Sequence, residues 1–221
     1  MNEDIWVIIP AYNEGKHVGD VIDRTKKHIQ NIIVVDDGSK DNTVEIAKKK
    51  GVIVLEHLLN MGKGTALKTG CEFALSKGAK IIIAVDADGQ HDPVEIPNFI
   101  NAVKEGNDIV FGYRKMSKAM PLVTKFGNWF ISRMVWLLFE INLKDTQCGY
   151  RAFTADAYKK MLWEAKDYDV ESEMIVKVGK NKLKYKEIPI QTIYSDIYKG
   201  TTVMDGIKIV SKMIWWKITR W

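Results

Sequence analysis

The sequence has few cysteines, no long apolar run without charge, and no basic, apolar leader among its first residues. Cys71 and Cys148 are the only cysteines in 221 residues, which excludes a disulfide scaffold and is compatible with a reduced, cytosolic setting. No stretch of about 18 residues is free of charge, so we expect no ordinary transmembrane helix. The opening residues MNEDIWVIIPAYNEGKH carry neither a basic start nor a long apolar stretch, so no secretory signal is expected.

The charge that is present is concentrated at one end of the chain. A hydrophobic content of 46% excludes a disordered protein, and the formal net charge is +5. Residues 199–221 contribute five cationic side chains against Asp205 alone, together with Trp215, Trp216 and Trp221. The rest of the chain is nearly neutral, so this basic tail must decide among nucleic acid, a membrane surface and a polyphosphate ligand as partners.

The first half of the sequence alternates short β-branched runs with helix-like segments. Such runs predict strands buried on both faces of a sheet, at Ile5–Ile9, Ile32–Val35, Val52–Leu55, Ile81–Val85 and Asp108–Phe111. Helices are expected between them, at Glu14–His28, Asn42–Lys50, Gly64–Lys77 and Val94–Lys104. This strand–helix repetition predicts an α/β fold, with a mostly parallel, Rossmann-like sheet flanked by helices.

The pattern changes after Tyr113. We expect a long helix over residues 118–140, with Pro121 near its start, and shorter helices near residues 155–163 and 169–180. A strand through Tyr185–Ile193 precedes a terminal helix from Met204 onward. Because no flexible linker interrupts the chain, we interpret residues 1–203 as one domain and residues 204–221 as a C-terminal amphipathic helix.

Polar side chains cluster where four of the predicted strands end. The clusters are Pro10–Glu14, Asp36–Ser39, Asp86–Gln90 and Gly112–Arg114. Ligands of open parallel sheets bind beyond the carboxyl ends of the strands, so we expect a binding site at this edge. Gly62-Lys63-Gly64 lacks the spacing of a nucleotide-binding P-loop, but a glycine-rich helix start beside a diphosphate is reasonable there.

Two carboxylates at positions i and i+2 of an extended turn are able to approach one divalent cation together. Asp86 and Asp88 have this spacing directly after a predicted buried strand. Mg²⁺ in proteins takes one or two carboxylates plus phosphate oxygens, so the pair predicts a Mg²⁺ or Mn²⁺ site that bridges a diphosphate. The alternative is an ordinary polar loop or a helix cap.

Five motifs, in order along the chain, carry a family resemblance. They are VIIPAYNE at Val7–Glu14, VVDDGS at Val34–Ser39, NMGKG at Asn60–Gly64, DADGQ at Asp86–Gln90 and DTQCGYRAF at Asp145–Phe153. Together they resemble the inverting family 2 glycosyltransferases of GT-A fold, and among these the dolichyl-phosphate or polyprenyl-phosphate glycosyltransferases. The resemblance covers roughly residues 5–202.

The resemblance implies a role for each matching residue. The residues implied for the nucleotide-sugar donor are Pro10, Tyr12, Glu14, Val35, Asp36, Asp37, Lys63, Asp86, Ala87, Asp88, Gln90 and Arg114. Within this set, Asp37 would read the base, with Asp36 beside it. The residues implied around the metal are Asp86, Asp88 and Gln90. Those implied for the acceptor phosphate are Arg114, Arg133 and Lys199. Those implied for catalysis are Asp88, Arg114 and Asp145.

The chemistry of the acceptor gives a further argument. A sugar hydroxyl must lose its proton and needs a general base, whereas a phosphate monoester is already anionic and needs only cations that position it. The downstream cations favour a phosphate acceptor. Asp145 is available as a base, or it orients Arg151 or its own loop. Two alternatives stay open, namely transfer to a hydroxyl of a soluble or protein-linked glycan, and a catalytically silent nucleotide-binding module at a membrane surface.

Two helical faces each have two interpretations. The first face consists of Phe126, Phe130, Arg133 and Leu137. It belongs either to a core helix with Arg133 at its edge or to an apolar ramp for a polyprenyl chain. The second is a stripe of the tail that consists of Ile207, Val210, Ile214, Ile218 and Trp221, with Lys208, Lys212 and Thr219 on another face. It predicts either a helix packed on the sheet or an interfacial helix on anionic lipid.

The sequence therefore predicts a metal-dependent, peripheral enzyme on the cytoplasmic face of the cell membrane. It would transfer a sugar from a nucleotide-diphosphate donor to dolichyl or polyprenyl phosphate, with inversion at the anomeric carbon. The DTQCG wording resembles the glucosyl branch more than the mannosyl branch, which favours a UDP-sugar over GDP-mannose. No nucleic-acid motif accompanies the basic tail, so we expect no nucleic acid as partner.

Overall fold

The computed structural model describes residues 4–114, 122–167, 169–191 and 203–220, and its strands form one sheet. The strands are β1 (Ile5–Ala11), β2 (Ile32–Asp36), β3 (Ile53–Glu56), β4 (Ile81–Ala84), β5 (Ile109–Arg114), β6 (Arg151–Thr154) and β7 (Tyr185–Ile190). Among the described residues they lie in the order β3-β2-β1-β4-β6-β5-β7. The predicted α/β class is thereby confirmed.

The direction of the strands places four loops at one edge of the sheet. Strand β1 pairs in parallel with β2 and β4, while β6 runs antiparallel between β4 and β5. Two reversals leave β5 parallel to β4, so the carboxyl ends of β1, β2, β4 and β5 share an edge. The segment that enters β6 starts at this same edge, which brings residues 145–150 to the predicted site.

Eight helices surround the sheet in the described part of the chain. They are α1 (Val18–Lys26), α2 (Thr43–Lys49), α3 (Lys63–Ser76), α4 (Ile96–Lys104), α5 (Leu122–Phe139), α6 (Ala155–Met161), α7 (Val170–Lys180) and α8 (Val203–Arg220). A 3₁₀ turn at Pro93–Glu95 precedes α4, and the Asp92 side chain caps it by accepting from Val94 N at 3.1 Å. This cap and the proline at the first position explain why the start of this segment was predictable from the sequence.

Three predicted boundaries differ from the structure for identifiable reasons. The first helix begins at Val18 and not at Glu14, because Asn13 adopts a positive φ of 55° and the following residues form turns. Strand β5 extends through Arg114, so Gly112–Arg114 belongs to the strand itself and does not follow it. Strand β3 lies at the edge of the sheet and is only partly buried, so the prediction of burial on both faces is wrong for it.

The core has two layers, one on each face of the sheet. Alternate residues of β1 point to opposite faces, as the pleat of a strand requires. Trp6 and Ile8 join the layer that packs against α3 and α5–α8, whereas Ile5, Val7 and Ile9 join the layer under α1, α2 and α4. The sheet is therefore covered on both sides, as expected of parallel strands.

Helix α8 packs on the domain through a different stripe from the predicted one. Val210, Met213 and Trp216 are buried in the core layer beside α5 and α7, whereas Ile214 and Ile218 are exposed. The packing interpretation of the predicted stripe is thus wrong at those two isoleucines, since only Val210 of its described side chains is buried, whereas the interfacial interpretation leaves them exposed. The side chain of Ile207, and Trp221 as a whole, lie outside the described part of the chain.

Helix α5 has the same division. Ile131, Val135 and Phe139 are buried in the core, while a second set of apolar side chains on α5 is exposed, namely Trp129, Phe130, Trp136 and Leu137. The core interpretation of the predicted face is therefore wrong at Phe130 and Leu137, and the side chain of Phe126 lies outside the described part. None of the helices in the described ranges combines the length and the apolarity that crossing a membrane requires.

Candidate functional site

The loops after β1 and β2 are tied together by hydrogen bonds. Asn13 N donates to Ser39 Oγ at 2.8 Å, and Lys40 N donates back to Asn13 Oδ1 at 2.8 Å. Glu14 N donates to Thr43 Oγ1 at 2.9 Å. The left-handed backbone of Asn13, which asparagine tolerates better than most residues, makes this pairing possible. The two loops therefore form one floor for a ligand at the sheet edge.

The predicted donor residues on this floor differ in their access to a ligand. The Tyr12 ring is exposed, and Pro10 at the end of β1 is partly exposed. The Glu14 carboxylate lies 2.8 Å from His17 Nδ1. The side chains of Val35 and Ala87 are buried in the two core layers. Val35 lies in β2 and Ala87 in the turn after β4, and because both side chains are in the core, their backbone is what remains available to a donor.

Asp37 holds a neighbouring loop in place. Its Oδ1 accepts from Met61 N at 2.9 Å, and its Oδ2 accepts from Gly62 N at 2.8 Å. Its Oδ1 also lies 2.7 Å from Nδ1 of His57, whose Nε2 is 3.0 Å from Thr69 Oγ1. These contacts engage both carboxylate oxygens, so Asp37 fixes the loop that leads into α3.

Asp36 differs from its neighbour in one oxygen. Its Oδ2 accepts from Ser39 N at 2.9 Å, whereas its Oδ1 is buried and has no hydrogen-bond partner within the described ranges. A buried, unpaired carboxylate oxygen is costly and is rarely left unexplained in a native protein. Of the two predicted carboxylates, Asp36 therefore has the free acceptor that a bound ligand could satisfy.

A buried ion cluster lies at the centre of the edge. Lys63, the first residue of α3, places its Nζ 2.6 Å from Asp86 Oδ1 and 2.8 Å from Glu171 Oε1. Burial opposes the charged form of Lys63, but the two carboxylates outweigh it and raise its pKa. Burial likewise opposes ionisation of Asp86, and Lys63 outweighs it, so the pKa of Asp86 is lowered. Both groups therefore stay charged.

The backbone at Gly149 closes over this cluster. A Cβ at Gly149 would lie 2.5 Å from Asp86 Oδ2 and 2.8 Å from Lys63 Nζ, so a larger residue there would displace the side chains of this ion pair. His91 Nδ1 lies 3.4 Å from Asp86 Oδ2, and burial lowers the pKa of His91. The imidazole is therefore predominantly neutral, and the lysine ammonium is the cation on Asp86.

The second predicted metal ligand has a freer carboxylate. Asp88 Oδ1 accepts from Gln90 N at 2.9 Å, which shapes the turn after β4. Burial, and then the nearby charge of Asp86, raises the pKa of Asp88. The described residues contain no group of three or more acidic, histidine or cysteine side chains that could hold a metal. Two carboxylates nevertheless fit Mg²⁺, which takes its remaining ligands from phosphate and water.

Arg114 and Asp145 form a closed pair beside the cluster. Arg114 donates through Nε to Asp145 Oδ2 at 2.7 Å, and through Nη2 to Oδ1 at 3.1 Å. Asp145 also accepts from Gln147 N at 3.1 Å. Although burial favours the neutral acid, Arg114 outweighs it and holds the pKa of Asp145 below its usual range. Such a carboxylate is a weak base, and it positions the guanidinium.

Arg151 is a structural residue behind the site. It is buried and donates to the carbonyl oxygens of Glu171 at 2.8 Å, Cys148 at 3.1 Å and Thr146 at 3.1 Å. The Asp145 carboxylate binds the Arg114 side chain and Gln147 N, so the alternative that it orients its own loop matches these bonds better than the alternative that it orients Arg151. Instead, Arg151 ties the loop before β6 to the start of α7.

The other predicted acceptor residues lie away from these pairs or outside the described ranges. The Arg133 side chain is exposed on α5, with its guanidinium carbon 4.2 Å from the centroid of the Trp136 ring. Lys199 lies outside the described residues. The structure thus brings Lys63, Asp86, Asp88 and Arg114 to one edge of the sheet and places Arg133 on the exposed side of a helix.

This edge matches a known family of enzymes. The family model described as glycosyl transferase family 2 matches residues 6–164, which is more than half of the chain. The chain belongs to this family. The matched range of the family 2 model includes β1–β6 and every donor and metal residue predicted above.

Relatives of this family 2 chain cover it almost completely. Protein MJ1222 of Methanocaldococcus jannaschii is 45% identical over 226 residues, which cover 98% of this chain and 93% of the relative. The UDP-N-acetylglucosamine–dolichyl-phosphate N-acetylglucosaminyltransferase of Methanococcus voltae is 38% identical, with 97% and 96% covered. Glucosyl-3-phosphoglycerate synthase of Mycobacterium tuberculosis, solved with Mn²⁺, uridine diphosphate and glucosyl-3-phosphoglycerate, superposes with a TM-score of 0.70 at 19% identity, covering 98% of this chain and 79% of that one. This last likeness confirms the predicted GT-A fold.

Four residues of the family 2 site were missed from the sequence, and one of them is His91, whose Nδ1 lies 3.4 Å from Asp86 Oδ2. His57 and Glu171 come from segments that carry no catalytic motif, and Gly149 lies inside the DTQCG motif without a stated role. Glu171 gave no distinctive signal, because acidic residues are favoured in the first turn of any helix. Its partner, 108 positions earlier in the sequence, becomes visible only once α3 and α7 meet at the sheet edge.

Proposed function

We propose that this family 2 enzyme transfers a sugar from a nucleotide-diphosphate donor to dolichyl or polyprenyl phosphate, with inversion at the anomeric carbon. The observation that carries the proposal is the Arg114–Asp145 pair. Asp145, the available base of this edge, gives both oxygens to Arg114. An acceptor hydroxyl needs a base, but an acceptor phosphate is already anionic and benefits from a positioned guanidinium. The Methanococcus voltae relative is named for dolichyl phosphate, which supports a phosphate acceptor here.

The donor is a UDP-sugar in preference to GDP-mannose. The Methanococcus voltae relative is named for a UDP-sugar, and the solved structure with the same fold contains uridine diphosphate. Asp36, rather than Asp37, accepts a hydrogen bond from the base, because its Oδ1 is buried without a partner in the described residues while both oxygens of Asp37 are engaged. Asp37 keeps the positioning role that its contacts give it.

Asp86 and Asp88 hold Mg²⁺ or Mn²⁺ together with the diphosphate of the donor. The fit rests on two carboxylates close enough to raise the pKa of Asp88, beside a glycine that leaves no side chain in the way. A metal at this position would offset the charge that develops on the leaving nucleoside diphosphate. Lys63 supplies a second positive charge to the same diphosphate from the start of α3.

The acceptor phosphate approaches from the side of α5. Arg114 positions it at the sheet edge, and Arg133 and Lys199 are the proposed additional cations. The exposed apolar residues of α5 and α8, which we name the apolar helix set, accommodate the lipid chain or the bilayer. This set consists of Trp129, Phe130, Trp136 and Leu137 of α5 and Ile214, Trp215 and Ile218 of α8.

The enzyme is a peripheral protein at the cytoplasmic face of the membrane. Exposed tryptophans favour the headgroup region of a bilayer, and nearby cations favour anionic lipid. Lys217 stands near the apolar helix set, with its Nζ 5.7 Å from the centroid of the Phe139 ring. The interfacial alternative for the tail is thereby retained, on the exposed side of a helix whose other side packs on the domain.

The experiment is a transfer assay with the purified full chain in detergent, Mn²⁺ and polyprenyl phosphate. Radiolabelled UDP-N-acetylglucosamine, UDP-glucose and GDP-mannose are supplied separately, and organic extraction separates lipid-linked product from unused donor. We expect label in the organic phase with a UDP-sugar, and a product of inverted anomeric configuration by NMR.

Two results would each select another function. Label that appears only on an added soluble or protein-linked glycan indicates the hydroxyl-acceptor enzyme. Nucleotide binding by calorimetry without turnover of any donor indicates the silent nucleotide-binding module. Omission of polyprenyl phosphate is the matched control, because it leaves donor binding and spontaneous donor hydrolysis unchanged.

A further inference from the structure

We propose that Lys63 is an internal cation that occupies Asp86 until the donor and its metal bind, and that Glu171 then retains the lysine ammonium. Glu171 is thus a positioning residue for Lys63 and not a ligand of the donor. The proposal rests on the proposed function in one respect, since it takes Asp86 to be a metal ligand. It concerns binding alone, so it is testable without any acceptor.

The contacts define the exchange. One nitrogen, Lys63 Nζ, lies 2.6 Å from Asp86 Oδ1 and 2.8 Å from Glu171 Oε1. The Glu171 side chain is buried on α7, at 7% exposure, whereas Asp86 keeps 20% exposure at the open edge of the sheet. The carboxylate that faces the ligand and the carboxylate that faces the interior therefore share a single cation.

The backbone around Lys63 cannot take part in the exchange. Thr65 N donates to Lys166 O at 3.1 Å, and Trp163 Nε1 donates to Gly64 O at 2.9 Å. A Cβ at Gly62 or Gly64 would lie 2.3 Å from the carbonyl oxygen of the 165–166 segment, so the chains are in close contact. The start of α3 is fixed, and only the flexible lysine side chain is able to move.

Charge balance explains why two carboxylates are needed. A buried cation that loses its sole partner is strongly disfavoured, and breaking such a pair costs far more than exchanging one partner for another. When a metal takes Asp86, Glu171 keeps Lys63 compensated, and the ammonium is released from Asp86 towards the diphosphate. Without the donor, the metal must displace the lysine from Asp86 although no diphosphate is present to bind the released ammonium. Metal and donor are therefore expected to bind together.

The first test measures Mn²⁺ binding without nucleotide, from the loss of the free-ion signal in electron paramagnetic resonance. The variant K63M frees Asp86, so we expect Mn²⁺ to bind about tenfold more tightly than in the unmodified protein, the equivalent of one lost charge-assisted hydrogen bond. K63R keeps the charge and offers a fork to both carboxylates, so we expect no gain. With uridine diphosphate present, K63M loses its advantage because the diphosphate has lost a cation.

The second test addresses Glu171. E171Q should weaken Mn²⁺ binding in the presence of uridine diphosphate by about tenfold, because Lys63 can no longer leave Asp86 for a second carboxylate. K177M is the matched control for K63M, since it also removes one lysine charge, at a residue on the same helix as Glu171 whose Nζ lies 3.9 Å from Glu173. We expect K177M to bind Mn²⁺ as the unmodified protein does.

The results that overturn the proposal are specific. They are unchanged or weaker nucleotide-free Mn²⁺ binding in folded K63M, equal tightening in K177M, or unchanged binding in E171Q. Melting temperatures without ligand establish that each variant is folded, and if K63M does not fold, E171Q and K177M decide the matter. A failure of the lipid-transfer assay leaves these binding results unaffected, so the two proposals fail independently.

Discussion

The two sides of the candidate site are built by opposite means. At the donor edge, polar and charged groups are held by partners from other elements, such as Asp37 by the loop before α3 and Lys63 by β4 and α7. On α5 and α8, large apolar side chains are exposed, with Trp215 at 62% and Ile218 at 76%. The first side holds its charged groups through hydrogen bonds and ion pairs from several elements, whereas the second presents exposed apolar area.

Under the proposed function, the difference matches what each side would recognise. A diphosphate and a metal are compact and charged, so they bind best to preorganised charges and dipoles. A misplaced binding group therefore weakens their binding. A polyprenyl chain or a bilayer is fluid and presents no fixed hydrogen-bonding groups, so it rewards apolar area alone. Exposed aromatic side chains of this size otherwise destabilise a protein in water by promoting association, which makes an apolar ligand the economical explanation.

The largest expected effect breaks the donor side. Asp88→Ala removes a metal carboxylate whose pKa is raised by burial and by Asp86. We expect transfer to fall about a thousandfold, because a metal contributes several kcal/mol to stabilising the charge of the leaving group. The melting temperature should fall little or even rise, because the variant removes a repulsive charge. The measurement is labelled transfer with saturating donor, alongside a thermal scan.

Asp92→Ala is the matched control for that prediction. Asp92 follows the same strand, but its carboxylate is used elsewhere, since it caps the 3₁₀ turn through Val94 N and lies 3.8 Å from Arg24 Nη1. Loss of the cap should cost about 1 kcal/mol of stability and leave transfer nearly unchanged. Equal losses of transfer in the two variants would mean that the loop conformation matters and the Asp88 carboxylate does not.

Sequence reasoning located the fold and the donor edge because both depend on local signals. β-branched runs such as Ile32–Val35 and capping residues such as Asp92 act within a few positions, and parallel strands bring their carboxyl ends together by topology alone. The same reasoning assigned Asp86, Asp88 and a glycine-rich helix start to that edge, but it did not predict the ion pair between Lys63 and Asp86. The antiparallel strand β6 lies between β4 and β5, and it leaves the carboxyl ends of those two strands at the same edge.

The rest depended on contacts between segments distant in sequence. Asp37 is a good turn residue in any sequence, and nothing local shows that Met61 and Gly62 take up its oxygens. The stripe of α8 is predicted from spacing, but two adjacent stripes of this helix are apolar. One contains Ile214 and Ile218, and the other contains Met213 and Trp216. Which of them is buried is decided by how α8 packs against α5 and α7, which a hydrophobic period does not specify.

A middle-sized effect sharpens the division of labour on the donor side. Asp37→Asn weakens the bonds to Met61 N and Gly62 N, so we expect a loss of about 1–3 kcal/mol in the free energy of unfolding. Asp36→Asn should cost less stability, because Oδ1 has no described partner to lose. It should weaken binding of uridine diphosphate about tenfold, through the lost charge-assisted acceptor.

Urea denaturation and calorimetry with uridine diphosphate distinguish the two roles. The prediction requires the larger stability loss in Asp37→Asn and the larger affinity loss, once folded protein is corrected for, in Asp36→Asn. The opposite assignment, in which Asp37 reads the base, gives the reverse order in the calorimetry. Comparing two neighbouring carboxylates with the same substitution keeps the change in charge identical.

The smallest expected effect concerns the apolar helix set. Deleting α8 would be a poor test, because Met213 and Trp216 belong to the core and their loss would unfold the domain. The double variant Trp215→Ser, Ile218→Ser changes exposed side chains alone, so the melting temperature should stay within a few degrees. Binding to liposomes of anionic lipid should weaken about tenfold by co-sedimentation, while affinity for uridine diphosphate should not change.

Leu58→Ser, at a leucine that is 99% exposed in the loop after β3, is the matched control and should bind liposomes normally. If the double variant binds liposomes as the unmodified protein does, α8 only packs on the domain. The proposed contact of its exposed side with a bilayer is then wrong.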